Sequence, residues 1–193
     1  MHCFVDVETT GLDYIRNEIV SISSIICDQE LNKLRKKTIK VRPENLHYWS
    51  EESEKIHGFS KDDCLNHTPK NEAIAIFEEF LFEDKIQSMA FVCHAKSMYG
   101  EMDYFDYNMV KQWFVFEYGG DTKFYKTFPP SMMRSTILNK GYKKWNIQNQ
   151  RLDTWAKKLG IEFKHHNSES DVEACYEIFK YQKENPDGDF FCF

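Results

Sequence analysis

The stretch FVDVETTGL, residues 4 to 12, decides how this chain is read. Successive side chains of a strand alternate between faces, so Phe4, Asp6 and Glu8 point to one side and Val5 and Val7 to the other. Two carboxylates therefore share one face of a strand otherwise built for an interior. Burying one ionised carboxylate is costly and two side by side repel, so the pair requires either a compensating cation or a strand end that emerges into solvent at Glu8. Outward from this strand, residues 18 to 27 (EIVSISSIIC) and 34 to 42 are further apolar or alternating runs, set off by GLDYIRN and DQELN. With residues 2 to 7 they read as three consecutive antiparallel strands.

Beyond them, the segment Arg42 to Ser60 contains Pro43, Trp49, His57 and Gly58 and reads as a loop with a short helix. Residues 71 to 84 place Ile74, Phe77 and Leu81 at helical spacing beside acidic residues, which predicts an amphipathic helix lying on the sheet. A fourth strand over residues 89 to 94 precedes a helix from Met102, in which Phe105, Met109, Trp113 and Phe116 repeat at i, i+4, i+8 and i+11. The aromatics Trp113, Phe114 and Phe116 are read as helix core. After a loop with Gly119, Gly120, Pro129 and Pro130, helices are predicted over Met132 to Leu138, about Gln150 to Leu159, and Ser168 to Lys183. Strands followed by alternating strand and helix predict an α/β fold, a mixed sheet flanked by helices.

A chain of 193 residues corresponds to one domain of about 150 to 200 residues. With 41% hydrophobic, 16% aromatic and 29% charged residues, the composition supports a packed core and excludes a disordered chain. No apolar stretch approaches the roughly 18 residues of a membrane span, and MHCFVDVE carries carboxylates where the apolar part of a signal peptide would lie. A soluble, cytoplasmic protein is expected. Against 31 Asp+Glu stand 25 Lys+Arg, a net charge of -6, so attraction to a polyanion must be organised locally, for which KLRKKTIKVR (33 to 42) and NKGYKK (139 to 144) are the basic stretches available. The six cysteines contain no CxxC pair and several sit in apolar runs, so they are read as buried free thiols.

The last helix repeats the anomaly of the first strand. Asp171, Ala174, Cys175 and Ile178 form one stripe, a carboxylate heading an apolar face. His166, five residues before Asp171, falls off that face in a continuous helix, so a helix capped by Asn167 or Ser168 leaves it on the preceding loop. Several carboxylates without a Cys ligand suit hard cations such as Mg²⁺ or Mn²⁺. Two such ions about 4 Å apart activate a water and steady the leaving oxygen of a phosphodiester. A nearby His, with an ordinary pKa of about 6.5, is suited to take that water's proton.

These residues resemble the histidine-bearing branch of the DEDD 3'→5' exonucleases, which includes the epsilon proofreading subunit of bacterial replicative polymerases. FVDVETTGL resembles the first family motif, which implies that Asp6 and Glu8 are metal ligands. It also implies that Thr9, Thr10, Gly11 and Leu12 form the turn meeting the terminal nucleotide, with Leu12 as an apolar wedge against its base. KIHGFS (55 to 60) resembles the HG segment and implicates His57 in holding the substrate near its 3' end. HNSESDVEA (166 to 174) matches the third motif, which implies His166 as general base and Asp171 as metal ligand. The middle motif departs from the compact family pattern, since VCHAKSMYGEMDYFDYNMV separates His94 from two competing acids. Asp106 is favoured, because Phe105 precedes it and Met109 and Val110 follow at the family spacing; Asp103 is its rival.

The resemblance implies a ribonuclease H-like fold with a five-stranded mixed sheet over residues 1 to 184. The implied activity is release of 5'-mononucleotides from DNA 3' ends, single strands favoured over RNA, with two Mg²⁺ ions for which Mn²⁺ substitutes, in proofreading, repair or degradation. RNA trimming and a non-catalytic nucleic-acid or polymerase binding module are the alternatives. Residues 185 to 193 (NPDGDFFCF) read as a C-terminal tail, either tucked onto the core or docking on a polymerase or sliding clamp.

Overall fold

A computed structural model of the chain describes residues 1–83, 88–98, 101–138, 149–162, 164, 166–185 and 190–192. The three leading strands are β1 (His2–Thr9), β2 (Ile19–Cys27) and β3 (Lys33–Arg42). Then come α1 (Glu51–His57), α2 (Lys61–Leu65), β4 (Thr68–Pro69) and α3 (Lys70–Phe82). Next are β5 (Ala90–Cys93), the small ribbon of β6 (Lys96–Met98) and β7 (Glu101–Asp103), α4 (Phe105–Tyr118) and α5 (Thr122–Thr127). The chain finishes through β8 (Arg134–Leu138), α6 (Leu152–Leu159), α7 (Ser168–Glu184) and β9 (Phe190–Cys192).

The main sheet runs in the order β4-β3-β2-β1-β5-β8-β9. β1 pairs antiparallel with β2 and β2 with β3, whereas β5 lies parallel to β1 and β8 parallel to β5. This is the mixed, helix-flanked α/β sheet expected, with seven strands among the described residues where five are predicted. The additional strands are edge pairings too short to show a sequence period: β4 adds two residues beside β3, and β9 returns antiparallel to β8.

Both faces of the sheet are covered, which is why β2 is buried along its whole length. On one face Cys3, Val5, Ile22 and Ile39 pack against Ile74, Phe77 and Leu81 of α3 and Val110, Trp113 and Phe114 of α4. On the other, Phe4, Ile25 and Val92 meet Val172, Cys175, Tyr176 and Phe179 of α7, and α6 closes the outside through Trp155 against Ala174 and Ile178.

Three predicted elements change. Met132 to Leu138, read as a helix, is a short 3-10 turn followed by β8, whose Arg134 and Ser135 lie beside Val92 and Cys93; a short apolar run does not by itself distinguish the two. The helix expected from Met102 starts at Phe105, since Glu101–Asp103 is already taken up in β7. Between Gly120 and Pro129, read as loop, α5 forms and buries Phe124 completely. Trp113 and Phe114 are core as expected, but Phe116 is 57% exposed. Cys3, Cys27, Cys64, Cys93 and Cys175 are buried and free. Among the described residues no helix is long and apolar enough to cross a membrane, and NKGYKK lies outside them.

Candidate active site

β1 carries Asp6 and Glu8 to its C-terminal end, on the face that α7 covers. There Asp6, Glu8 and Asp171 each present a carboxylate oxygen within 4.8 Å of the others. Asp171 reaches this point from the first turn of α7 and is 4% exposed; Glu8 is 8% exposed. Asp106 arrives from the opposite side. β5 pairs with β1 only over His2, Cys3 and Phe4, so the edge of β1 is open beyond Phe4. Asp106, in the first turn of α4, fills that edge, its Oδ1 accepting the Val7 N–H at 3.1 Å.

Desolvation acts on Asp6, Glu8 and Asp171, and repulsion by neighbouring carboxylates acts on Asp6 and Glu8. Burial, then the charges of Asp106, Asp171 and Glu8, lift the Asp6 carboxyl well above the usual carboxylate range. Burial with Asp171 and Asp106 pushes Glu8 up to about 8. Asp171 rises to about 6, mainly through burial, with the His166 N–H working against the rise. So many acidic oxygens around one point make a donor set for a hard divalent cation, and the residues fit such an ion.

Asn167 caps α7, its side chain accepting from the Ser170 N–H, which leaves His166 on the preceding loop. His166 is exposed, adopts a left-handed backbone (φ 62) uncommon outside glycine, and donates its backbone N–H to Asp171 Oδ2 at 2.9 Å. The backbone of this histidine thus holds the carboxylate, and the residue as a whole is exposed.

The turn after β1 is built largely from its own side chains. Thr9 Oγ1 donates to the Gly11 carbonyl, and Thr10, fully buried, accepts from the Glu18 N–H and Asn17 Nδ2. Gly11 is required by contact, since a Cβ there would lie 2.6 Å from Asn17 Oδ1. Leu12 is 78% exposed at the tip. Of these four residues, the threonine side chains are committed to the turn and Leu12 is presented outward.

His57 ends α1, before Gly58 in a left-handed conformation. Its Nδ1 accepts from the Phe59 N–H, which puts the proton of a neutral ring on Nε2, a buried nitrogen turned toward the Thr9 backbone. Burial lowers its pKa. Phe105 is half-buried against the core at the start of α4. Asp103 ends β7 and its side chain lies outside those described. His94 is tied to Thr136 Oγ1 and the Gln150 carbonyl, a structural position.

The sequence points to Ser168 only as a cap candidate and to neither Ser21 nor Ser23; the hydroxyls of all three meet beside the acidic cluster. The available signal was three serines in β2, a strand otherwise of Ile, Val and Cys.

A mixed sheet with acids gathered at the end of its first strand, and a helix crossing behind them, defines a protein of the ribonuclease H-like class. The chain matches the RNase_T family model, described as Exonuclease, over residues 3–179, and it belongs to that exonuclease family. Among solved structures it is similar to E. coli Exonuclease I in complex with a dT13 oligonucleotide, at 14% identity and TM-score 0.72, covering 94% of this chain and 40% of that one. Exonuclease I from Methylocaldum szegediense matches at 16% identity and TM-score 0.76, covering 96% and 41%. An ExoI/SSB-Ct complex matches at 14% and 0.72, covering 95% and 41%. The chain thus spans about two fifths of the length of these relatives. No curated protein matches it.

Proposed function

We propose that the chain is a metal-dependent 3'→5' exonuclease that releases 5'-mononucleotides from single-stranded DNA ends. The observation that carries this is the convergence of Asp6, Glu8 and Asp171 oxygens within 4.8 Å, with Asp106 fixed beside them by the Val7 N–H. Asp6, Glu8, Asp106 and Asp171 would hold two Mg²⁺ ions, or Mn²⁺ in their place. Bound there, the ions would lower the pKa of a water and offset charge on the leaving oxygen. His166, off the helix and exposed beside Asp171, would serve as the general base for the attacking water. Leu12 wedges against the terminal base, and His57 Nε2 donates toward the substrate near the Thr9 backbone. Thr9, Thr10 and Gly11 serve by shaping that turn, and Phe105 flanks the nucleotide beside Asp106.

DNA is favoured over RNA because the solved relatives include complexes with dT13 and dA16 oligonucleotides. We assign the catalytic domain to residues 1–184 and read 185–193 as a sheet-edge tail, although an SSB-Ct complex among the relatives makes a protein partner worth testing. Buried free thiols fit a reducing compartment, the cytoplasm.

Mononucleotide release from matched DNA and RNA oligomers with Mg²⁺ or Mn²⁺ tests the proposal. DNA degradation is expected, with Asp6→Ala and His166→Ala lowering the rate at least 100-fold. Degradation of RNA alone would transfer the mechanism to an exoribonuclease. Binding of strands without cleavage would leave a binding module.

A further inference from the structure

Along most of its length α7 docks on the sheet through apolar contacts, Val172, Cys175, Tyr176 and Phe179 against Phe4 and Ile25. At its first turn the chemistry changes. Ser168 Oγ lies 2.8 Å from Ser21 Oγ and 2.9 Å from Ser23 Oγ, and Ser23 Oγ lies 2.9 Å from Thr38 Oγ1. Ser21, Ser23 and Ser168 are 2%, 0% and 3% exposed, so three hydroxyls are buried where alanine or valine would fill the space. Each hydroxyl has one proton to give, and in the series Ser21–Ser168–Ser23–Thr38 the outward direction, Ser21 donating to Ser168, Ser168 to Ser23 and Ser23 to exposed Thr38, gives every buried proton an acceptor.

The register places this series against the acids. Ser23 is the direct cross-strand neighbour of Asp6 and Ser21 that of Glu8. Opposed residues of an antiparallel pair project from the same face. Ser168 stands one turn before Asp171 on α7, and the loop carrying His166 joins immediately before it. Apolar burial fixes how closely a helix approaches a sheet but is non-directional; hydrogen bonds at 2.8 and 2.9 Å to two strand positions fix rotation and height.

We propose that Ser168, held by Ser21 and Ser23, is a positioning residue that sets Asp171 over Asp6 and Glu8 at metal-binding separation. It acts through Asp171 and touches neither ion nor substrate. The inference rests on the reading of these acids as metal ligands.

The test is calorimetric Mn²⁺ binding to native protein, Ser168→Ala, Ser168→Thr and Ser23→Ala, with thermal unfolding in chelator and the kcat and KM of each on a single-stranded oligomer. Ser168→Ala and Ser23→Ala are expected to weaken Mn²⁺ binding about tenfold and lower kcat by at least as much, with KM within twofold of native. Ser168→Thr, which keeps the hydroxyl, is expected to recover most of both. Native-like Mn²⁺ affinity in both alanine variants, whatever their melting points, overturns the proposal. So does a loss in Ser168→Thr equal to that in Ser168→Ala, since the hydroxyl would then be irrelevant. A native protein that binds no Mn²⁺ is a different result: the ligand assignment itself fails, and this inference with it.

Discussion

Glu8 is an acid held where its charge is opposed. Burial and the charges of Asp171 and Asp106 push its pKa to about 8, and Asp171 is raised to about 6. Both folded-state values lie above those of an unfolded chain, so between the ordinary carboxylate range and pH 8 the folded protein keeps protons that the unfolded one has released. Stability without metal therefore falls as pH rises, by about 1.4 kcal/mol per pH unit for each proton that the folded chain retains. In chelator, the unfolding midpoint is expected to be lower at pH 8 than at pH 5. Added Mn²⁺ closes the gap, because the ion binds the deprotonated acids and releases their protons. Glu8→Gln flattens the chelator profile; a midpoint that climbs with pH would contradict the account. Asp106→Asn separates charge from structure in a similar way. The amide oxygen still accepts the Val7 N–H, so the fold holds, while DNA cleavage is expected to drop at least 100-fold; Asp103→Asn should cleave at close to the native rate. The opposite ranking would give the role to Asp103. Strand alternation makes Asp6 and Glu8 visible in sequence, and the helical stripe does the same for Asp171. The fit of Asp106 to Val7 is not visible, because it depends on β5 stopping its pairing at Phe4, a contact between distant parts of the chain.

Among elements, the turn between β1 and β2 has the least tolerance. Asn17 bridges the Thr10 hydroxyl, the Tyr48 carbonyl and the Asp13 N–H, and Gly11 packs so closely on it that any Cβ displaces the amide. Gly11→Ala is expected to cost about 1 to 3 kcal/mol as an overpacked site. At roughly 2 to 4 °C per kcal/mol for a chain of this size, thermal unfolding resolves the change. Gly120→Ala, where a Cβ meets nothing within 4 Å, is the control and should melt near native temperature. An unchanged midpoint for Gly11→Ala would show that Asn17 yields freely. The extent of α7 was legible from its stripe and cap, whereas β8 was misread because Met132 to Leu138 carries no period that distinguishes strand from helix. The basic strand β3 shows the same limit. Lys33 reaches Glu173 and Glu177, and Lys36 lies 3.0 Å from Glu169 and Glu173, so these cations tie α7 to the sheet. Both partners stand in the sequence, but a separation of 140 positions between Lys33 and Glu173 conceals that they meet.

At the scale of the whole molecule, the sheet's two edges are closed differently. β4 shields one with two residues, and the other is closed by β9, formed from the last residues of the sequence. Beneath β9 lies β8, and β8 is connected inward: the Thr136 hydroxyl meets His94, its carbonyl accepts from buried Gln182 of α7, and Ser135 Oγ accepts from the Ala95 N–H. A tail that serves only to dock a partner could be removed without disturbing this network. A tail that completes the sheet could not, since its loss exposes the unpaired N–H and C=O groups of β8 as a template for another chain. Deleting residues 186 to 193 is accordingly expected to lower the unfolding midpoint and to produce concentration-dependent association in sedimentation experiments, with cleavage falling as β8 loosens. Unchanged stability and a monomeric state, accompanied by lost binding to a polymerase or sliding clamp, would instead make the tail a docking peptide and leave β8 stable as an edge.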